Sequence, residues 1–178
     1  MKKFLFSQSK TASPSGGAIS VGTNSYATDL TIEGCDFNSN SATNIGGAIA
    51  AINANNKLTV EFCSFEENTA VAGGAIYFYG KEAEISNSNF VSNDPEYGGA
   101  LYIATGDVSI EDTQFNKNEA TQGGAIYVAN GASLSLKYVD IGENTAEEGS
   151  AIYANYGSSV TIEDSHISDK TATGNYGA

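Results

Sequence analysis

Four glutamates recur at corresponding places in this 178-residue chain: Glu33, Glu61, Glu111 and Glu163, each ending a short segment of alternating apolar and polar residues. Carboxylates serve glycoside hydrolysis, which opposes two of them across a cleft, and lyase chemistry, which adds a cation to stabilise an enolate. Here they return as a feature of a repeat, with Ser86 and Lys137 standing in the same place, so no copy is singled out as a site. The chain holds no Arg and a single His. His166 shares its place with Asp36, Ser64, Asn89, Gln114 and Asp140, a polar series that should face solvent. Stacked carboxylates could hold Ca²⁺ only loosely, because no dedicated loop of oxygen ligands is visible. The residues therefore predict no catalytic site, no metal and no cofactor. The chain is expected not to be an enzyme.

Two other residue types could carry chemistry. Cys35 and Cys63 share one place in the repeat, continued by Ser88, Thr113, Val139 and Ser165. Parallel strands in register would put their Cα atoms about 4.8 Å apart, inside disulfide range, but with nearly parallel Cβ vectors that strain the bridge. Buried thiols filling the core and a strained disulfide both remain open. Tyr77, Tyr102, Tyr127 and Tyr153, with Ala50 before them, each follow an inward apolar residue. Strand alternation sends them outward. Such a column either shields a sheet face by cross-strand stacking or offers an aromatic strip to a protein or glycan partner.

The elements that hold these residues follow from two repeated blocks. Gly-Gly-Ala-Ile/Leu occurs at Gly46-Gly47-Ala48-Ile49, Gly73-Gly74-Ala75-Ile76, Gly98-Gly99-Ala100-Leu101 and Gly123-Gly124-Ala125-Ile126. Gly16 opens an early copy, and Gly149-Ser150-Ala151-Ile152 is a drifted one. Phe-x-x-Asn alternates with it, as Phe37 to Asn40, Phe65 to Asn68, Phe90 to Asn93 and Phe115 to Asn118; Ile141 to Asn144 keeps the Asn, and Phe6 begins a degenerate first copy. The apolar residues between the blocks alternate with period two, and Gly pairs, Asn and β-branched residues disfavour helix. A unit of about 25–30 residues with three strands and three turns fits one rung of a β-solenoid. The fold expected is all-β, a right-handed parallel β-helix of about six to seven rungs, with residues 1–178 forming one segment.

Columns then acquire roles. Leu30, Leu58, Ala83, Val108, Leu134 and Val160 should stack inward, as should Ile32, Val60, Ile85, Ile110, Leu136 and Ile162. The Phe column and the Ile of Gly-Gly-Ala-Ile supply two more inner columns. The Asn column is expected to hydrogen-bond along the stack, and its members to tolerate a left-handed turn. The Gly pairs should supply positive φ or room at a corner.

Composition narrows the partners. With 8 basic and 21 acidic residues the net charge is −13, which opposes nucleic acid and anionic membrane surfaces alike. No apolar run is long enough to span a bilayer. The opening Met1-Lys2-Lys3-Phe4-Leu5-Phe6 imitates a signal peptide, but its apolar stretch ends at Ser7, so it is counted with the fold.

The two alternating motifs resemble the repeats of the chlamydial polymorphic membrane proteins. That resemblance implies the passenger of an autotransporter, carried to the bacterial outer surface and used as an adhesin, with the motif positions themselves implicated in adhesion. The sequence departs from the motifs at Ser150, Ile141, Ile167 and Lys170. The expected location is extracellular, at the cell surface, and the expected partner a host-cell protein or a neutral glycan. A solenoid serving only as stalk or fibre is the alternative, with a polysaccharide-active enzyme behind it. Tyr176-Gly177-Ala178 looks like the start of a seventh Gly-Gly-Ala strand, which suggests a longer β-helix and end-to-end self-association.

Overall fold

The computed structural model describes residues 4–7, 14–22, 28–168 and 171–174. The chain winds into about six turns of a parallel β-helix. One sheet stacks seven strands in sequence order: Phe4–Ser7, Cys35–Asn38, Ser64–Glu66, Asn89–Val91, Gln114–Asn116, Asp140–Gly142 and His166–Ser168. A ten-stranded sheet combines two series. The first holds Ile19–Val21, Ile49–Ile52, Ile126–Val128 and Ile152–Ala154; the second holds Leu30–Glu33, Lys57–Glu61, Ser133–Lys137 and Ser159–Glu163. A third sheet, Glu119–Gln122, Thr145–Glu148 and Thr171–Ala172, continues towards the start as isolated bridges such as Ala72 to Tyr97. The seventh Gly-Gly-Ala copy, Lys170 and the first three residues lie outside the described residues.

The expected three strands per rung are not found throughout. In two turns the series of the large sheet fuse into the eleven-residue strands Ile76–Ser86 and Leu101–Glu111. In three other turns a four-residue turn separates them, closed by Asn56 N–H to Asn53 O at 2.8 Å, Ala132 N–H to Ala129 O at 3.1 Å and Ser158 N–H to Asn155 O at 3.1 Å. The fused strands lack that Asn-rich turn. A register shift between Ile103 and Asp107 absorbs the bend instead.

The inner columns pack as the alternation requires, except that Ile162, expected inward, is 45% exposed in the last turn, where no described strand stacks beyond it. Phe6, Phe37, Phe65, Phe90 and Phe115 stack face to face, with centroids 4.7–4.9 Å apart and planes within 6°. The last four are fully buried, as are Ile49, Ile76, Leu101 and Ile126. One column escaped the sequence reading: Ala51, Phe78, Ile103 and Val128, two residues beyond the Ile and equally buried. Continuing the alternation past the tyrosines would have found it.

Three corners close each rung, and each uses a left-handed residue. The first Gly of the pair has φ between 59° and 70°. The second needs room: a Cβ on Gly47 would land on the carbonyl oxygen of Gly74 in the next rung. The other two corners use non-glycine residues, except at Gly34. Asn is not the left-handed one, contrary to expectation. That role falls to the residue before it, at Ser39, Glu67, Ser92, Lys117 and Glu143, with φ from 53° to 57°. The Asn side chain holds the turn from inside.

Candidate binding face

The Asn ladder is complete in its hydrogen bonding. Asn40, Asn68, Asn93, Asn118 and Asn144 are fully buried. Asn93 Nδ2 donates to Asn118 Oδ1 at 2.9 Å and to Phe65 O at 3.1 Å, while its Oδ1 accepts the backbone N–H and Nδ2 of Asn68, both at 3.0 Å. A buried amide with every donor and acceptor matched fixes the register between rungs.

A second ladder runs down the Cys column. Ser88 Oγ donates to Ser86 O at 2.7 Å and Thr113 Oγ1 to Glu111 O at 2.8 Å, each bracing a left-handed corner at Asn87 or Asp112. Cys35 Sγ and Cys63 Sγ make the same contact, to Glu33 O at 3.4 Å and Glu61 O at 3.2 Å. Both are buried thiols, with no disulfide between them. Burial pushes the Cys63 thiol up from its ordinary pKa, which leaves it a poor nucleophile. The sulfurs occupy positions that hydroxyls fill in neighbouring rungs.

The carboxylate column lies outside, as the alternation requires. Glu33, Glu111 and Glu163 are exposed and Glu61 is half-buried, in register with Ser86 and Lys137. A shallow groove of about 420 Å³ runs beside them, lined by Glu84, Ser86, Ser109, Glu111, Ser135 and Lys137. His166 is exposed at the end of its polar column. Among the described residues no group of three or more His, Cys, Asp or Glu is placed to hold a metal ion.

The tyrosine column also lies on the outer side. Tyr77 to Tyr102, Tyr102 to Tyr127 and Tyr127 to Tyr153 have ring centroids 5.2, 4.6 and 5.1 Å apart, with planes within 19°. The rings are more covered than an open strip would be: three are half-buried, and Tyr127 is only 7% exposed. Stacking hides the ring faces. In addition, Tyr97 meets Tyr127 edge-on at 6.1 Å from across the Gly corner, and Asn155 Nδ2 donates to the Tyr127 hydroxyl at 3.0 Å. Burial pushes the Tyr102 phenol up to about 12, with Tyr127 beside it as a second cause. Tyr97 was missed because it sits before the Gly pair, a place held by Ile45, Ala72 and Gln122 in other rungs.

The motif residues carried over from the resemblance are all inside. Every Gly-Gly-Ala-Ile/Leu block from Gly46 to Ile126 is buried, and so are the Phe and Asn of each Phe-x-x-Asn from Phe37 to Asn118. Buried side chains cannot reach a partner, so their contribution is to build the face that tyrosines present.

A family model described as right handed beta helix region matches residues 2–146 and again 51–177. No curated protein matches the chain. No solved structure matches it either.

Proposed function

The chain belongs to the right-handed β-helix family, and from that premise we propose that it is a surface-exposed, adhesin-like segment attaching to host cells or other surfaces through its tyrosine face. The observation that carries this reading is the in-register column Tyr77, Tyr102, Tyr127 and Tyr153 on four successive turns. Each ring is already held by its neighbours, so little rotamer freedom is lost when a partner docks. One weak contact per turn, repeated along a rod, accumulates avidity. The motif resemblance supports a passenger carried to a bacterial outer surface. A non-catalytic role accords with outer columns that repeat similar polar residues rung after rung.

The stalk reading draws support from Tyr127, whose 7% exposure suits a ladder that merely shields the sheet. One assay separates the two. Replacing the four tyrosines by Ser should reduce adhesion of the chain to cells severalfold while its circular dichroism keeps the strand signature. Full adhesion by a folded variant would leave the ladder a structural device and favour the stalk.

A further inference from the structure

Building on the reading of the tyrosine face as the adhesive surface, we infer that what this face takes is a neutral glycan. The chain segments that form the face are 46–56, 73–80, 98–106, 123–132 and 149–158, running from each Gly corner through the Tyr strand to the following turn. None of them contains Asp, Glu, Lys, Arg or His, in a chain of which 16% is charged. Charge is therefore confined to the other sides of the rod. Acidic residues border the face, at Glu96 and Glu148 on one edge and at Asp107 on the other, where Glu82 in the same column is paired with Lys57 at 2.7 Å. The Glu96 and Glu148 edge, on a chain of net charge −13, repels a polyanion. A basic partner would find its counter-charges there and not among the tyrosines.

The chemistry within the face is that of uncharged hydrogen bonding. The stack leaves Tyr77, Tyr102 and Tyr153 partly open to solvent while Tyr127 is covered, and the turns add the amides of Asn55 and Asn130, both exposed. Phenols and amides both donate and accept, which matches the hydroxyls of a sugar. Two tyrosines stand outside the stack: Tyr79, 39% exposed, and Tyr156, 87% exposed. Their open rings can lie against the apolar face of a sugar ring. The groove described above is on another side, lined by carboxylates, Ser and Lys137. The tyrosine face is thus a repeating platform, suited to an extended polymer of like units rather than to a protein anchor that needs a pocket.

The test is affinity electrophoresis of the whole chain through gels containing dissolved neutral glucan, mannan or galactan, with poly-lysine as a cationic comparison. Retardation by at least one neutral polysaccharide is expected, unchanged at about 0.5 M salt, where exposed charge contacts are screened. The double variant Tyr79→Ser, Tyr156→Ser should bind about tenfold more weakly, as expected for two lost aromatic contacts. Should that variant fold poorly, Tyr156→Ser alone gives the same readout. Unretarded passage through every neutral gel overturns the inference, as does salt-sensitive capture by poly-lysine in its place. A chain that adheres to cells yet ignores all the neutral polysaccharides keeps the adhesive reading and loses the glycan. A chain that does neither loses both.

Discussion

An asparagine buried without partners destabilises a fold, and here five are buried in a row with their amides joined. Removing one should therefore cost more than its size suggests. Asn93→Ala would leave the Asn68 amide, the Asn68 backbone N–H and the Phe65 carbonyl short of a partner. A loss of about 3 kcal/mol or more is expected in urea denaturation, at roughly 1–3 kcal/mol per buried unmet group. A loss below about 1 kcal/mol would mean that the ladder does not hold the register. The phenols give a pH signature. Tyr102 is raised from an ordinary 10.0 to about 12 in the folded chain, so between those values the unfolded chain releases a proton that the folded chain retains. Stability should be unaffected by this group below pH 10 and should fall as pH rises from 10 towards 12. Tyr102→Phe should flatten that fall, measured by the denaturation midpoint against pH.

At the scale of the strand, two ring ladders of the same spacing differ in what they support. Phe90 lies between Phe65 and Phe115 at 4.7 Å on each side and is wholly enclosed. Phe90→Ala should cost roughly 3–5 kcal/mol, against about 0.5–1.5 kcal/mol for the stacking lost on Tyr102→Ser, whose ring is half in solvent. Comparable losses would place the tyrosines in the core. The Phe, Leu and Ile columns were legible in the sequence because period-two alternation locked to a repeat leaves each residue one face to choose. What stayed illegible depends on neighbours distant in the chain. The cover on Tyr127 comes from Tyr97 across a glycine corner and from Asn155 one rung on. The fusion of strands at Tyr79-Gly80-Lys81 depends on a missing turn, and an absent signal is easy to overlook beside strong ones. The left-handed corners fall on residues as unlike as Ser39, Glu67 and Lys117, so no residue type marks them. The thiols were left undecided because register alone fits both a bridge and a hydroxyl-like contact, and only the Sγ contacts to Glu33 O and Glu61 O separate the two.

The molecule as a whole is an anionic rod with one uncharged side. Interior ladders of Phe and Asn hold successive turns in register, and that register converts one tyrosine per turn into a continuous face. The fold was readable because each rung repeats the same instructions; the function was not, because a repeat spreads its chemistry over many copies and concentrates it in none. Hydroxyl-radical footprinting, read by mass spectrometry on the chain free and bound to the surface it adheres to, examines the face directly. Oxidation should drop at Tyr79, Tyr102, Tyr153 and Tyr156 on binding. It should stay unchanged at Phe62 and Tyr138, which are 49% and 50% exposed and sit at the corner beyond the carboxylate column. Protection of Phe62 and Tyr138 with the tyrosine face still oxidised would contradict the account.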